Sequence, residues 1–138
     1  MKRDTEIWLR YAEENIRSAE VLCESGLYNP SLQNTQQAVE KCLKAVLIEK
    51  GAGLIKTHSI RELAGRLEEL GVSHGLSDDD MDLLDSIYLP SKYPVMSVLP
   101  DFMPDATICM HCIRIAKNVY EAHPFRIVTP LVVMAEAD

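Results

Sequence analysis

No run in the sequence approaches the roughly 18 to 20 apolar residues that a membrane span needs. The N-terminus MKRDTEIW carries charge where a secretory leader would carry an apolar core. These absences predict a soluble, unprocessed, cytoplasmic protein with no membrane partner. Basic residues are scarce too: 14 Lys and Arg stand against 21 Asp and Glu, a net charge of -7. That balance argues against a general nucleic-acid surface or an anionic membrane, while leaving room for local basic patches. The chain has no internal repeat and no low-complexity segment.

Cysteines are few, and Cys23, Cys42, Cys109 and Cys112 each fall on or beside an apolar helical face. Reduced cysteines that pack as small hydrophobes behave this way, which again fits the cytoplasm. Cys109 and Cys112 share a face at i, i+3, but zinc would need ligands from elsewhere. A redox pair would need a preceding strand and a helix N-terminus to lower the thiol pKa. Core packing is the better reading. Asp78, Asp79 and Asp80 have no EF-hand spacing and no following Gly, so they read as helix capping. No metal and no cofactor are expected.

What the sequence does have is helical periodicity. At 138 residues and 47% apolar content it is most simply one domain with a core large enough to stand without disulfides or metal. The organising stretch is Ser31 to Lys50, SLQNTQQAVEKCLKAVLIEK. Leu32, Val39, Cys42, Leu43, Val46 and Leu47 recur at three- and four-residue steps, with Gln33, Gln37, Glu40 and Lys44 on the opposite arc. Ala38 and Ala45 edge the apolar arc, where small side chains admit a close neighbour, so this helix belongs near the centre of a bundle.

Before it, Asp4 or Thr5 can cap a first helix striped by Trp8, Ala12, Ile16, Ala19 and Leu22 or Cys23 and stopped at Gly26. A short turn at Tyr28 and Pro30 makes the first two helices antiparallel neighbours. Gly51 and Gly53 end the second helix. Ser59 or a neighbour caps a third, striped by Ile60, Leu63, Leu67 and Leu70 and stopped at Gly71. Ser77, followed by the three aspartates, opens a fourth, with Met81, Leu84, Ile87 and Tyr88 inward.

Prolines at 90, 94, 100 and 104 predict a long irregular segment from Leu89 to Pro104, and loops of that length are often functional. A fifth helix runs from about Asp105 to Ala122, with Ile108, Cys112, Ile115, Ala116 and Val119 on one face, and Pro124 closes it. The predicted fold is an all-α, up-and-down bundle of five helices over residues 1–124. Residues 125–138 form an apolar tail, split by Pro130, that packs on the bundle or on a second subunit.

In this order the chain resembles the HEPN family of small helical domains. The residues that carry the resemblance are Trp8 and Ala12, the Gly-x-Tyr turn at Gly26 and Tyr28, and the run QQAVEKCLKAVL from Gln36 to Leu47. Thr57 to Ile60 (T-H-S-I) and the pair Tyr93-Pro94 complete it. The resemblance spans about Trp8 to His123. It implies a helical bundle that dimerises with itself, pairs with a minimal nucleotidyltransferase as in toxin-antitoxin modules, and binds nucleotides or acts as a ribonuclease.

The ribonuclease branch places an Arg four to six residues before a His, so that a cation holds phosphate while imidazole moves a proton. This chain lacks that motif: Arg114 and His123 have eight residues between them. Catalysis is therefore not expected, and a metal-independent ribonuclease stays as the alternative. His58 is the best single functional candidate, because it lies by a helix N-terminus with Lys56 and Arg61 nearby, an arrangement suited to phosphate. Its plainer reading is to cap that helix or to bond the polar stripe of helix two. Glu40 and Lys44 read first as a solvated i, i+4 ion pair. The resemblance adds a second reading. Gln37, Glu40, Lys41 and Lys44, with His58, would line a nucleotide or phosphate groove closed by Lys92 and Tyr93, the tyrosine stacking on a base. Lys92 stands where many relatives carry Arg, and it lacks the bidentate fork.

Overall fold

The computed structural model describes residues 1–92 and 103–123, with side chains described through Tyr88 and again from Met103. Five helices follow one another: α1 (Arg3–Glu24), α2 (Tyr28–Glu49), α3 (Ile60–Glu69), α4 (Asp78–Lys92) and α5 (Ala106–Ala122). No strand occurs among the described residues. The all-α, five-helix expectation is what the chain adopts.

The helices end where the glycines are. At Gly26 the backbone takes φ 76, a left-handed conformation that side chains with a Cβ rarely adopt. The turn there closes with Leu27 N–H on the Leu22 carbonyl at 2.8 Å and Gly26 N–H on that of Cys23 at 3.0 Å. This double closure satisfies two carbonyls the helix would otherwise leave open, and it is repeated at Gly51 and Gly71. Starts are set by side chains: Ser59 Oγ accepts Glu62 N–H at 3.1 Å, Ser77 Oγ accepts Asp80 N–H at 3.0 Å, and Asp105 Oδ1 accepts Ile108 N–H at 2.9 Å.

α1 and α2 lie antiparallel, because Lys2 reaches Glu49, Asn15 meets Asn34, and Ser31 Oγ donates to the Ala19 carbonyl. α2 touches each of the other four helices, and from Cys42 through Leu47 every residue is buried. α5 runs antiparallel to α1, tied by Tyr120 to Glu13 and by Lys117 to Glu20. Ala12, Ala19, Ala38, Ala45, Ala64 and Ala116 are almost fully buried, and their small size permits these close approaches.

Several local expectations are corrected. α1 begins at Arg3 and Lys2 precedes it without a side-chain cap, so Thr5, buried within the helix, is not the cap. Contacts of Lys2 with Glu49 and with the Ile48 carbonyl hold that end instead. Leu9 is the core residue there, and Trp8 is half-buried at the edge of the stripe. Tyr28 and Pro30 form the first turn of α2, where the missing proline N–H has no intrahelical partner to lose. Leu70 caps α3 and stays half exposed, and Tyr88 is half-buried. α4 continues through Pro90 to Lys92, where an irregular chain from Leu89 was expected. The rest of the proline-rich segment and the apolar tail lie outside the described residues.

Cys42, Cys109 and Cys112 are buried free thiols and Cys23 is half-buried, as packing cysteines should be. No helix among the described residues is long and apolar enough to cross a membrane.

Two measurements check this packing. Leu67→Ala should cost about 2–5 kcal/mol in urea unfolding, whereas Leu70→Ala should stay within about 0.5 kcal/mol. Burial pushes the Cys42 and Cys112 thiols up to about 12 from the ordinary 9.0. The native chain therefore keeps protons that the unfolded chain releases above pH 9.0, and stability should fall as pH rises through that window. Cys42→Ala with Cys112→Ala should flatten the decline in urea midpoint between about pH 8 and 10.

Candidate functional site

The polar stripe of α2 faces inward. Gln36, Glu40 and Lys44, spaced four apart, are respectively 1%, 7% and 6% exposed. Lys44 Nζ lies 2.9 Å from Glu40 Oε2, with the Trp8 ring 5.8 Å from the ammonium. The expectation of a solvated pair is thus corrected. Trp8 from α1 and the α2–α3 connection cover the stripe, and two desolvated charges hold only because each neutralises the other.

The other oxygen of Glu40 reaches out of the helix. Its Oε1 lies 3.1 Å from His58 Nδ1 and 3.4 Å from Gln36 Nε2, and Gln36 also donates to the His58 carbonyl at 3.1 Å. An ionised carboxylate only accepts, so Nδ1 carries hydrogen, and a neutral ring leaves Nε2 as a free acceptor. The ring stacks on Tyr88 with centroids 4.9 Å apart and planes 14° from parallel. Although held on two sides, the His58 side chain is 58% exposed. It opens onto a shallow hollow of about 300 Å³ lined with Ser59, Asp85 and Tyr88. Gln36 Oε1 is buried without a hydrogen-bond partner.

The phosphate arrangement expected around His58 is already occupied by protein. Asp85 accepts the Ile60 N–H at 2.6 Å, the Arg61 N–H at 3.2 Å and the Ser59 hydroxyl at 3.3 Å. The positive end of α3 therefore holds a carboxylate of the chain itself. Arg61 points to Asp82 at 2.7 Å and Asp78 at 3.3 Å, and these hydrogen bonds raise its pKa further. Lys56 is exposed.

Of the groove residues named from sequence, Glu40, Lys44 and His58 come together. Lys41 turns instead to α1, donating to Asn15 Oδ1 at 2.6 Å beside the Tyr11 ring, and desolvation holds its pKa below the usual lysine range. Gln37 is half-buried on the same helix. The Lys92 side chain and Tyr93 lie outside the described residues. Sequence reasoning missed Gln36, whose i, i+4 spacing to Glu40 was readable. It also missed Asp85 and the stacking of Tyr88, which only tertiary structure reveals.

The other histidines differ from His58. His74 is half-buried and held between Glu68, at 3.0 Å, and the Leu76 N–H, also at 3.0 Å, a structural role. His111 is exposed on α5, and His123 stands edge-on to Tyr120 at the helix end. Among the described residues no group of three or more His, Cys, Asp or Glu side chains could hold a metal ion.

The HEPN domain family model matches residues 5–125. The chain belongs to the HEPN family. Its fold is similar to the crystal structure of TT1696 from Thermus thermophilus, with a TM-score of 0.72 and 23% identity over 87% of this chain and 95% of that one. It is also similar to ST0689, an archaeal HEPN homologue, with a TM-score of 0.66 and 27% identity over 88% and 94% of the two chains. No functionally curated protein gives a significant match.

The buried pair makes a sharp stability prediction for this HEPN chain. Glu40→Ala should destabilise by about 3–5 kcal/mol, because Lys44 is left buried without a counter-charge. Glu40→Leu with Lys44→Met should recover most of that loss, as read by urea denaturation of both variants.

Proposed function

We propose that this HEPN protein is a binding and interaction module whose ligand contact is His58, and that the ligand presents a planar ring such as a nucleotide base. One observation carries the proposal: an imidazole fixed by a buried carboxylate and by stacking on Tyr88, yet 58% exposed. Ordering an exposed side chain brings little stability of its own, whereas a preordered ring lowers the entropy cost of binding. Nε2 accepts a hydrogen bond, and the exposed ring offers a stacking surface. Phosphate plays a minor part, because Lys44 is neutralised by Glu40 and Arg61 by two aspartates. The wider proposal, resting on family resemblance, is a homodimer that pairs with a minimal nucleotidyltransferase as in toxin-antitoxin modules.

A second reading has its own support. A carboxylate on Nδ1 orients Nε2 outward as in a general base, which fits a metal-independent ribonuclease with His58 moving the proton. Against it stands the engagement of Arg61, the nearest guanidinium in sequence, with Asp78 and Asp82.

A thermal-shift titration separates these readings, with adenosine, ATP and inorganic triphosphate as probes and light scattering to follow mass. Adenosine and ATP should stabilise the wild type alike, approaching about 2.7 kcal/mol at a hundredfold excess over the dissociation constant. Triphosphate should do little, and His58→Ala should abolish the effect at a mass twice that of one chain. Stabilisation by triphosphate alone, or none by adenosine, would remove the base-binding reading. RNA cleavage lost in His58→Ala would replace it with the ribonuclease.

A further inference from the structure

The C-terminal part of α1 and the N-terminal part of α5 border one surface of the bundle. Between them lies an open hollow of about 450 Å³ in which Cys23, Ala106, Met110 and Ile113 are flanked by an equal number of acidic and basic side chains from the two helices. Met110 is 54% exposed, and Met103, just before the helix, is 82% exposed. Nothing in the His58 reading uses this groove.

The sequence contains a matching occupant. Residues 124–138, PFRIVTPLVVMAEAD, follow α5 directly, and Phe125, Ile127, Val128, Leu131, Val132 and Val133 form an apolar series unsuited to water. Pro130 bars this series from a central strand, and no sheet edge exists among the described residues to receive one. An extended segment lying on helices avoids both difficulties.

We propose that residues 125–133 turn back at Pro124 and lie in the α1–α5 groove of their own chain, antiparallel to α5. The lengths agree. Met110 lies about 20 Å back along the helix from His123 at about 1.5 Å per residue. Six extended residues at about 3.3 Å each cover that distance and bring residues 129–131 level with Met110 and Cys23. Arg126 falls near Lys117 on this path, beside α1's acidic Glu13 and Glu20, which already meet Tyr120 and Lys117. A segment joined directly to the groove has a local concentration in the millimolar range, which favours it over a second copy free in solution.

The test uses the full chain. Cysteine is placed singly from Ile127→Cys to Val133→Cys, and mild oxidation is followed on non-reducing gels. Cross-linking to Cys23 should peak at Thr129→Cys to Leu131→Cys and stay within one chain. No cross-link at any position, or links only between chains, would overturn the proposal, the latter placing the tail on a second copy. The second readout is the reaction of Cys23 with Ellman's reagent, since Cys42, Cys109 and Cys112 are buried. Ile127→Asp with Leu131→Asp should speed it at least about tenfold over the wild type, at every protein concentration. Equal rates in the two proteins, or protection that appears only as concentration rises, would sink the idea.

Discussion

The carboxylate of Glu40 is the point on which the rest of the arrangement depends. It lies in the most buried helix of the bundle, bonded to Lys44 one turn on and to Gln36 one turn back. A charge there is tolerable only with every neighbour in place. Trp8 must lie over Lys44, the α2–α3 connection must bring His58 down, and α4 must present Tyr88 beneath the ring. Four elements are thereby held in one register. A hydrophobic trio at 36, 40 and 44 would pack as well and tolerate sliding by a turn, whereas the ion pair and its two hydrogen bonds do not.

Most of the fold was legible because it is written in local chemistry. Gly26, Gly51 and Gly71 stop helices by backbone geometry that few other residues adopt, and Ser59, Ser77 and Asp105 start them by bonding amides three residues on. These signals act within one helical turn, and nothing distant overrides them. The misreadings came where distance matters. Trp8 and Leu9 are both apolar, and choosing which one enters the core requires knowing where α2 lies. Leu70 fits the α3 stripe by spacing, yet it falls where the helix ends and its direction changes. Pro90 disfavours a helix interior, but α4 carries on past it to Lys92.

The candidate site was half legible for the same reason. The i, i+4 order of Glu40 and Lys44 shows that they pair, not whether water reaches them, since burial is imposed by residues from other helices. The cations around His58 were misjudged by adjacency. Lys56 and Arg61 are neighbours in sequence, but the partners of Arg61 are Asp78 and Asp82, about a helix-and-loop away. Asp85, on the same face of α4, fills the N-terminus of α3 that phosphate was expected to take.

That substitution bears on what the site can recognise. With Glu40 and Lys44 cancelling each other, the charged group that lines the hollow beside His58 is the Asp85 carboxylate. An anion gains little from such a surface, because among the described residues no unengaged guanidinium or helix end faces it and the closest fixed charge repels it. A neutral planar group avoids that repulsion and can use both the stacking face and the accepting Nε2. The electrostatics and the geometry at His58 thus support the same proposal, a ligand held by the ring of a nucleoside rather than by its phosphates.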